Sequence, residues 1–162
     1  MDGMNWIQCL SKSIQYIEEH ITDRIRIDEI ANQAYTSSSH FQLLFHLVFG
    51  ITVGEYIRNR RLTLAALELL EPGRKIIDVA MQFQYDTQES FSKAFARFHG
   101  FPPSKVQADK IRMFHPLKIN ITVQGGFDMS RSLVDEFYWS DFINQKDELL
   151  SDIDKYQRIV NW

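Results

Sequence analysis

Cys9 is the chain's only cysteine, so no disulfide can close within it, and such sparing use of thiols fits a reducing cytoplasm. Long hydrophobic runs are missing as well. No stretch approaches the roughly 18 apolar residues of a membrane span, and the N-terminus has no signal-peptide pattern. The chain is therefore expected to be cytoplasmic and to have no membrane partner. The sequence also lacks the signatures of catalysis: there is no phosphate-binding glycine loop, no nucleophile elbow and no Cys–His spacing. His40 and His46 stand six apart on one predicted helix and cannot share a metal face as an i, i+4 pair does. His99 and His115 flank a turn without clustered carboxylates. No enzyme, cofactor or metal site is expected.

Positive charge is scarce too. The 18 Lys+Arg are outnumbered by 21 Asp+Glu, a formal net charge of −3. The imbalance is local: residues 1–112 hold 13 of each sign, whereas residues 113–162 hold 5 basic and 8 acidic side chains. Any binding of nucleic acid must use a basic face and not a basic domain. Arg58, Arg60, Arg61, Arg74, Lys75, Lys93 and Arg97 are the candidates for it.

What the chain does have is one pattern written twice. Ile27-Asp28-Glu29-Ile30-Ala31, a polar turn and His40-Phe41-Gln42-Leu43-Leu44-Phe45 end at Gly50. Ile76-Ile77-Asp78-Val79-Ala80, a similar turn and Ser90-Phe91-Ser92-Lys93-Ala94-Phe95 end at Gly100. Phe41, Phe45 and Gly50 recur fifty positions on, and Ala31 recurs forty-nine positions on. The slip falls in the turn, where a change of length is easily absorbed. A short helix, a tight turn and a longer helix with one apolar face is a helix-turn-helix, whose second helix lies in the DNA major groove. Two copies suggest a reader of two successive groove segments.

With 44% hydrophobic residues the chain can bury a core. Trp6, Leu10, Ile14 and Ile17 form an amphipathic stripe on a first helix over 5–20, with Cys9 expected as a core thiol. A short helix over 27–34 follows. Thr36 or Ser37 caps a third, ending near Gly50, with Phe41, Leu44, Phe45 and Val48 on its core side and Ser39, Gln42, Leu43 and His46 on the other. Thr52-Val53-Gly54-Glu55 is a capping box opening a connector helix over 52–70, stopped by Glu71-Pro72-Gly73. The second copy gives helices over 75–82 and 87–98, and Pro102-Pro103 starts a last short helix. The expected fold class is all-α, two helix-turn-helix units joined by a long helix, about seven helices in all, followed by a short α+β tail.

Residues 5–112 resemble the DNA-binding domain of AraC/XylS-type bacterial transcription regulators, about two-thirds of the chain. The most specific stretches are Glu55-Tyr56-Ile57-Arg58-Asn59-Arg60-Arg61-Leu62 and Phe91-Ser92-Lys93-Ala94-Phe95 followed by Gly100-Phe101-Pro102-Pro103. The resemblance implies a sequence-specific transcription regulator bound to double-stranded DNA, with both recognition helices in adjacent major-groove segments about 10 bp apart. By position, Ser39, Gln42, Leu43 and His46 on the first helix, and Gln88, Glu89, Ser92 and Lys93 on the second, would read base edges. Gln42 and Gln88 suit adenine, Lys93 suits guanine, and Glu89 suits cytosine N4. Ser37, Ser38 and Thr87 at helix N-termini, with Arg97, would contact phosphate, and Asp86 is expected to cap. Leu43 departs from the family, which often has a polar residue there. It could pack on a thymine methyl, help dock the tail with Leu47, or be a partly buried surface leucine. Tyr35 and Gln84 stand where the family usually has glycine, and a positive φ at either would be strained.

RNA polymerase is the partner implied for such a regulator. Residues 1–112 are expected to be the DNA-binding domain, and 113–162 a tail starting a truncated C-terminal effector domain, through which a small-molecule effector would act. In that tail Leu117, Ile119, Ile121 and Val123 alternate with polar residues as a strand ended by Gly125-Gly126, and Leu149, Ile153, Tyr156 and Val160 stripe a helix. The strand would pair with residues around 129–134, or with another molecule to give a homodimer; alternatively the tail packs back on the helical domain. The rival to DNA reading is a helical protein-interaction module without DNA binding, favoured by Leu43, Leu47 and the neutral charge.

Overall fold

The computed structural model describes residues 6–119. Six α-helices follow in order: α1 Trp6–Glu19, α2 Ile27–Gln33, α3 Ser38–Phe49, α4 Val53–Glu68, α5 Ile76–Gln82 and α6 Gln88–His99. All six lie where the sequence put them to within one or two positions. The seventh expected helix is a correction: after Pro102 the chain makes one 3-10 turn, Pro103–Lys105, and another at Ala108–Lys110. Val106 between them is already extended, so the start that proline offers is not continued.

The helix ends repeat as faithfully as the helices. Ser37 caps α3 by accepting from the His40 N–H at 3.3 Å, and Thr87 caps α6 by accepting from the Ser90 N–H at 3.1 Å. Thr87, not Asp86, is therefore the cap. At the other ends Gly50 and Gly100 turn left-handed, with φ 70° and 87°, a conformation in which a Cβ is strained. The capping box of α4 is closed in both directions: the Glu55 N–H donates to Thr52 Oγ1 at 3.1 Å, and the Thr52 N–H donates to Glu55 Oε2 at 2.8 Å. The Thr52 N–H, and the Thr52 hydroxyl that donates to the same Oε2 at 2.9 Å, hold the Glu55 carboxyl below its ordinary pKa.

α1, α2 and α3 pack in sequence, and α3 rests on α4. Leu10, Ile14 and Ile17 of α1, with Cys9, are buried as the stripe requires, beside Ile30, Phe41, Leu44 and Phe45. The hydroxyl of buried Ser13 lies 3.0 Å from the Cys9 carbonyl and 3.3 Å from the Ile30 carbonyl of α2, its one proton shared between them. Val48 corrects the expected core side, since it is exposed. Phe49 stacks on Phe45 instead, with ring centroids 4.7 Å apart.

The second half packs α5 and α6 on the far part of α4. Its core joins Leu62, Ala65 and Ala66 of α4 to Val79 and Ala80 of α5, Phe83 just beyond it, and Phe91 and Phe95 of α6. Three alanines, two on α4 and one on α5, let these helices approach closely, and the phenylalanines fill the volume so opened. α4 thus belongs to both halves, with Val53 and Tyr56 buried toward the first.

Residues 111–119 run without regular structure along this unit. Thr63 Oγ1 accepts from the Phe114 N–H at 3.1 Å, and Arg60 Nη1 donates to the Phe114 carbonyl at 2.6 Å. The expected boundary at residue 112 falls within this strip. Residues 117–119, the first of the expected strand, are not in a strand, and the rest of it and the tail helix lie outside the described residues.

Candidate nucleic-acid interface

Each helix-turn-helix turn is sharpened by a non-glycine residue in the left-handed region, Tyr35 at φ 53° and Gln84 at φ 65°. Such residues cost on the order of 1–2 kcal/mol where glycine would cost almost nothing. The strain expected for these two positions is present at both. Tyr35 is 75% exposed.

From these turns the longer helix of each pair emerges with its apolar side inward. Phe41, Leu44 and Phe45 of α3 and Phe91 and Phe95 of α6 are buried. On the opposite side of α3, Ser39 and Gln42 are exposed, and Leu43 and His46 are half-buried. The Gln42 amide donates to the Ser38 carbonyl one turn back at 3.2 Å. His46 Nδ1 is enclosed without a hydrogen-bond partner among the described residues, so any reach to a base edge depends on Nε2. Half-burial of Leu43 matches the partly buried leucine considered above while leaving part of the side chain outward.

On α6, Gln88, Glu89 and Lys93 are exposed and Ser92 is half-buried. Lys93 Nζ sits 2.7 Å from Glu89 Oε1, with the two side chains 74% and 77% exposed. An exposed i, i+4 pair is worth at most about 1 kcal/mol, so either member can be drawn off to another partner. Ser37, Thr87 and Arg97 are exposed and Ser38 is half-buried. Arg97 has no salt bridge among the described residues.

The proposed basic face loses several members. Arg60 is 7% exposed and gripped by Glu18 of α1: Nε lies 2.9 Å from Oε1, and Nη2 lies 2.7 Å from Oε2. The Tyr56 hydroxyl donates to the same Oε1 at 2.7 Å, and burial with this carboxylate pushes the phenol pKa far up. Arg61 is half-buried and spends its donors on backbone carbonyls of the α1–α2 loop; burial lowers its pKa. Arg74 pairs with Glu68 but stays 48% exposed. Arg58, Lys75, Lys93 and Arg97 remain as exposed cations.

Behind α6 sits a histidine the sequence did not single out for this role. His99 is buried, with Nε2 donating to the Leu62 carbonyl of α4 at 3.1 Å and Nδ1 accepting from the Arg112 N–H at 3.2 Å. That arrangement requires the neutral ring. Burial lowers its pKa; the Leu62 carbonyl opposes the shift, and the Arg112 charge adds to it. Among the described residues no group of three metal-ligating side chains occurs, and no helix is long and apolar enough to cross a membrane.

Comparison with known proteins points the same way as the geometry. A family profile described as "Helix-turn-helix domain" matches residues 30–109. The HTH-type transcriptional activator AarP of Providencia stuartii is 38% identical over 95 residues, covering 59% of this chain and 70% of AarP. Regulatory protein SoxS of Salmonella typhimurium is 41% identical over 101 residues, covering 62% of this chain and 94% of SoxS. The fold matches the crystal structure of an AraC-type regulator from Chromobacterium violaceum with a TM-score of 0.58. The sequence identity there is 20%, with 63% of this chain and 91% of that one covered.

Proposed function

Because the chain belongs to the AraC/XylS-type family of DNA-binding transcription regulators, we propose that α3 and α6 enter two successive major-groove segments of one duplex and read them together. The observation that carries this is the doubled helix-turn-helix. Each copy ends in a capped helix whose outward side is mostly polar and at least partly exposed, and one connector helix is shared by both cores. Gln42 and Gln88 bond adenine, Lys93 leaves Glu89 to bond guanine, Glu89 accepts from cytosine N4, and Leu43 rests on a thymine methyl. Ser39, His46 and Ser92 complete the base-facing set. Ser37, Ser38 and Thr87 offer backbone N–H groups to phosphate, and Arg97 its charge.

The remaining partners belong to the same proposal: RNA polymerase, a small molecule sensed through the part of the protein after residue 112, and a second copy through that tail. The setting is the cytoplasm. Selection of bound duplexes from a random pool, followed by titration at two salt concentrations, tests the reading. Two separated clusters of preferred bases about one helical turn apart are expected, with binding that weakens steeply as salt rises. Binding indifferent to salt, or a single cluster, would overturn it.

A further inference from the structure

Three successive carbonyls of the α1–α2 loop are held by side chains of the connector α4 and of the second half. Arg61 Nε donates to the Ile21 carbonyl at 2.8 Å and its Nη2 to the Asp23 carbonyl at 2.6 Å. Between them, the Gln84 amide donates to the Thr22 carbonyl at 2.7 Å. Backbone acceptors just beyond a helix end have no helical donor, so this loop presents acceptors and α4 and the α5–α6 turn supply the donors. Gln84 is also one of the two strained turn residues. A glycine would hold that turn at less cost, but it could not reach Thr22. Tyr35, at the matching place in the first half, is 75% exposed, and among the described residues its side chain makes no corresponding bond.

We propose that this clasp fixes the angle between the two recognition helices, making Gln84 and Arg61 positioning residues for the spacing of the two DNA segments. The inference rests on the two-segment reading proposed above. Gln84 stands in the turn four residues before the start of α6, so tying it to the α1–α2 loop restrains where α6 begins relative to the first half. The 12 residues of α6 span about 18 Å at 1.5 Å per residue, and a swing of about 10° at the turn carries the far end about 3 Å. That is nearly the rise of one base step, about 3.4 Å. Loss of the clasp therefore lets the second helix sample neighbouring registers without removing any group that touches DNA.

Gln84→Gly and Gln84→Asn both suit a left-handed backbone, and neither reaches the Thr22 carbonyl, so the turn survives while the bond is lost. The full chain and both variants are compared on the duplex selected by the unaltered protein, and on derivatives with one base pair inserted or deleted between the two segments. The unaltered protein should discriminate against the altered spacings, and each variant should lose about 2- to 10-fold of that discrimination, the worth of one neutral hydrogen bond. In the DNA-free protein, nitroxides at Asn32→Cys and Asp78→Cys, both on exposed positions, should give a broader distance distribution when Gln84 is replaced. Unchanged width in the variants overturns the clasp. Broadened distances with unchanged spacing discrimination overturn its role in register. If the unaltered protein selects no two-part site, the two-segment reading fails, and the distance measurement alone decides whether the clasp orients the halves.

Discussion

Arg60→Ala separates a structural arginine from a DNA-contacting one. Its guanidinium is almost fully enclosed and meets the Glu18 carboxylate through Nε and Nη2, while Nη1 holds the Phe114 carbonyl. Truncation leaves Glu18, itself only about a fifth exposed, without its counter-charge, and frees the carbonyl that fixes residues 111–119. Breaking one side of such a pair costs about 3–5 kcal/mol, a large share of the roughly 5–15 kcal/mol that stabilises a domain. Arg26 provides the control. It also forms a close pair, with Asp28 at 2.9 Å, but with side chains 70% and 52% exposed, so Arg26→Ala should cost no more than about 1 kcal/mol. Urea titrations followed by circular dichroism give both values. The double change Glu18→Met with Arg60→Met removes both charges together and should cost less than Arg60→Ala alone. Its stability permits a binding measurement in which the slope of log affinity against log salt stays as in the parent, whereas Arg97→Ala should lower that slope by roughly 0.9. An Arg60→Ala penalty no larger than that of Arg26→Ala, or a reduced salt slope in the double variant, would refute the structural assignment.

Replacing Lys93 or Gln88 by alanine should cost about 1–3 kcal/mol on the selected duplex and relax preference at one base position, which a competition series against single-base variants measures. Gly50→Ala and Gly100→Ala should each lower stability by about 1–2 kcal/mol in thermal melts. A Cβ at either place meets nothing within 4 Å, so the cost is the left-handed backbone alone. His99 adds a dependence on pH. Its folded pKa lies below the ordinary 6.5, so between the two values the unfolded chain binds more proton. Its contribution is therefore complete above about 6.5 and is lost as pH falls through the folded value. His99→Gln should flatten the stability profile in that window, leaving a further fall below about 4.5 to which Glu55, also lowered, contributes.

The repeat, the helix limits and most caps were legible because they depend on neighbours in sequence: an apolar stripe, a hydroxyl before a helix, a glycine after it; at α6 the cap proved to be Thr87 and not Asp86. The outward polar positions of α3 and α6 follow from the same periodicity. The basic face was less legible. An arginine on an amphipathic helix looks the same whether it faces water or a carboxylate 42 positions away, which is the separation of Glu18 and Arg60. Only the placing of Glu18 of α1 beside α4 decides it. Val48 fell outside the core for a related reason. It shares the stripe of Phe41 by spacing, but in the last turn of α3 the aromatic contact is made by Phe49. Gln84 was visible as a strained turn residue, yet its bond to Thr22 spans 62 positions and no local pattern announces it.

Among the described residues α4 is the one helix whose two ends are buried in different cores, Val53 and Tyr56 in the first and Leu62, Ala65 and Ala66 in the second. Neither half therefore owns a complete interior. Severing the chain at the Pro72-Gly73 turn would leave the first fragment with a bare apolar strip along α4, and the second with α5 and α6 lacking the surface they close upon. Melting of one half must strip cover from the other, so the pair should unfold in a single cooperative transition. The α4 backbone amides should then be among the slowest to exchange with solvent deuterium, since they open only when both halves do.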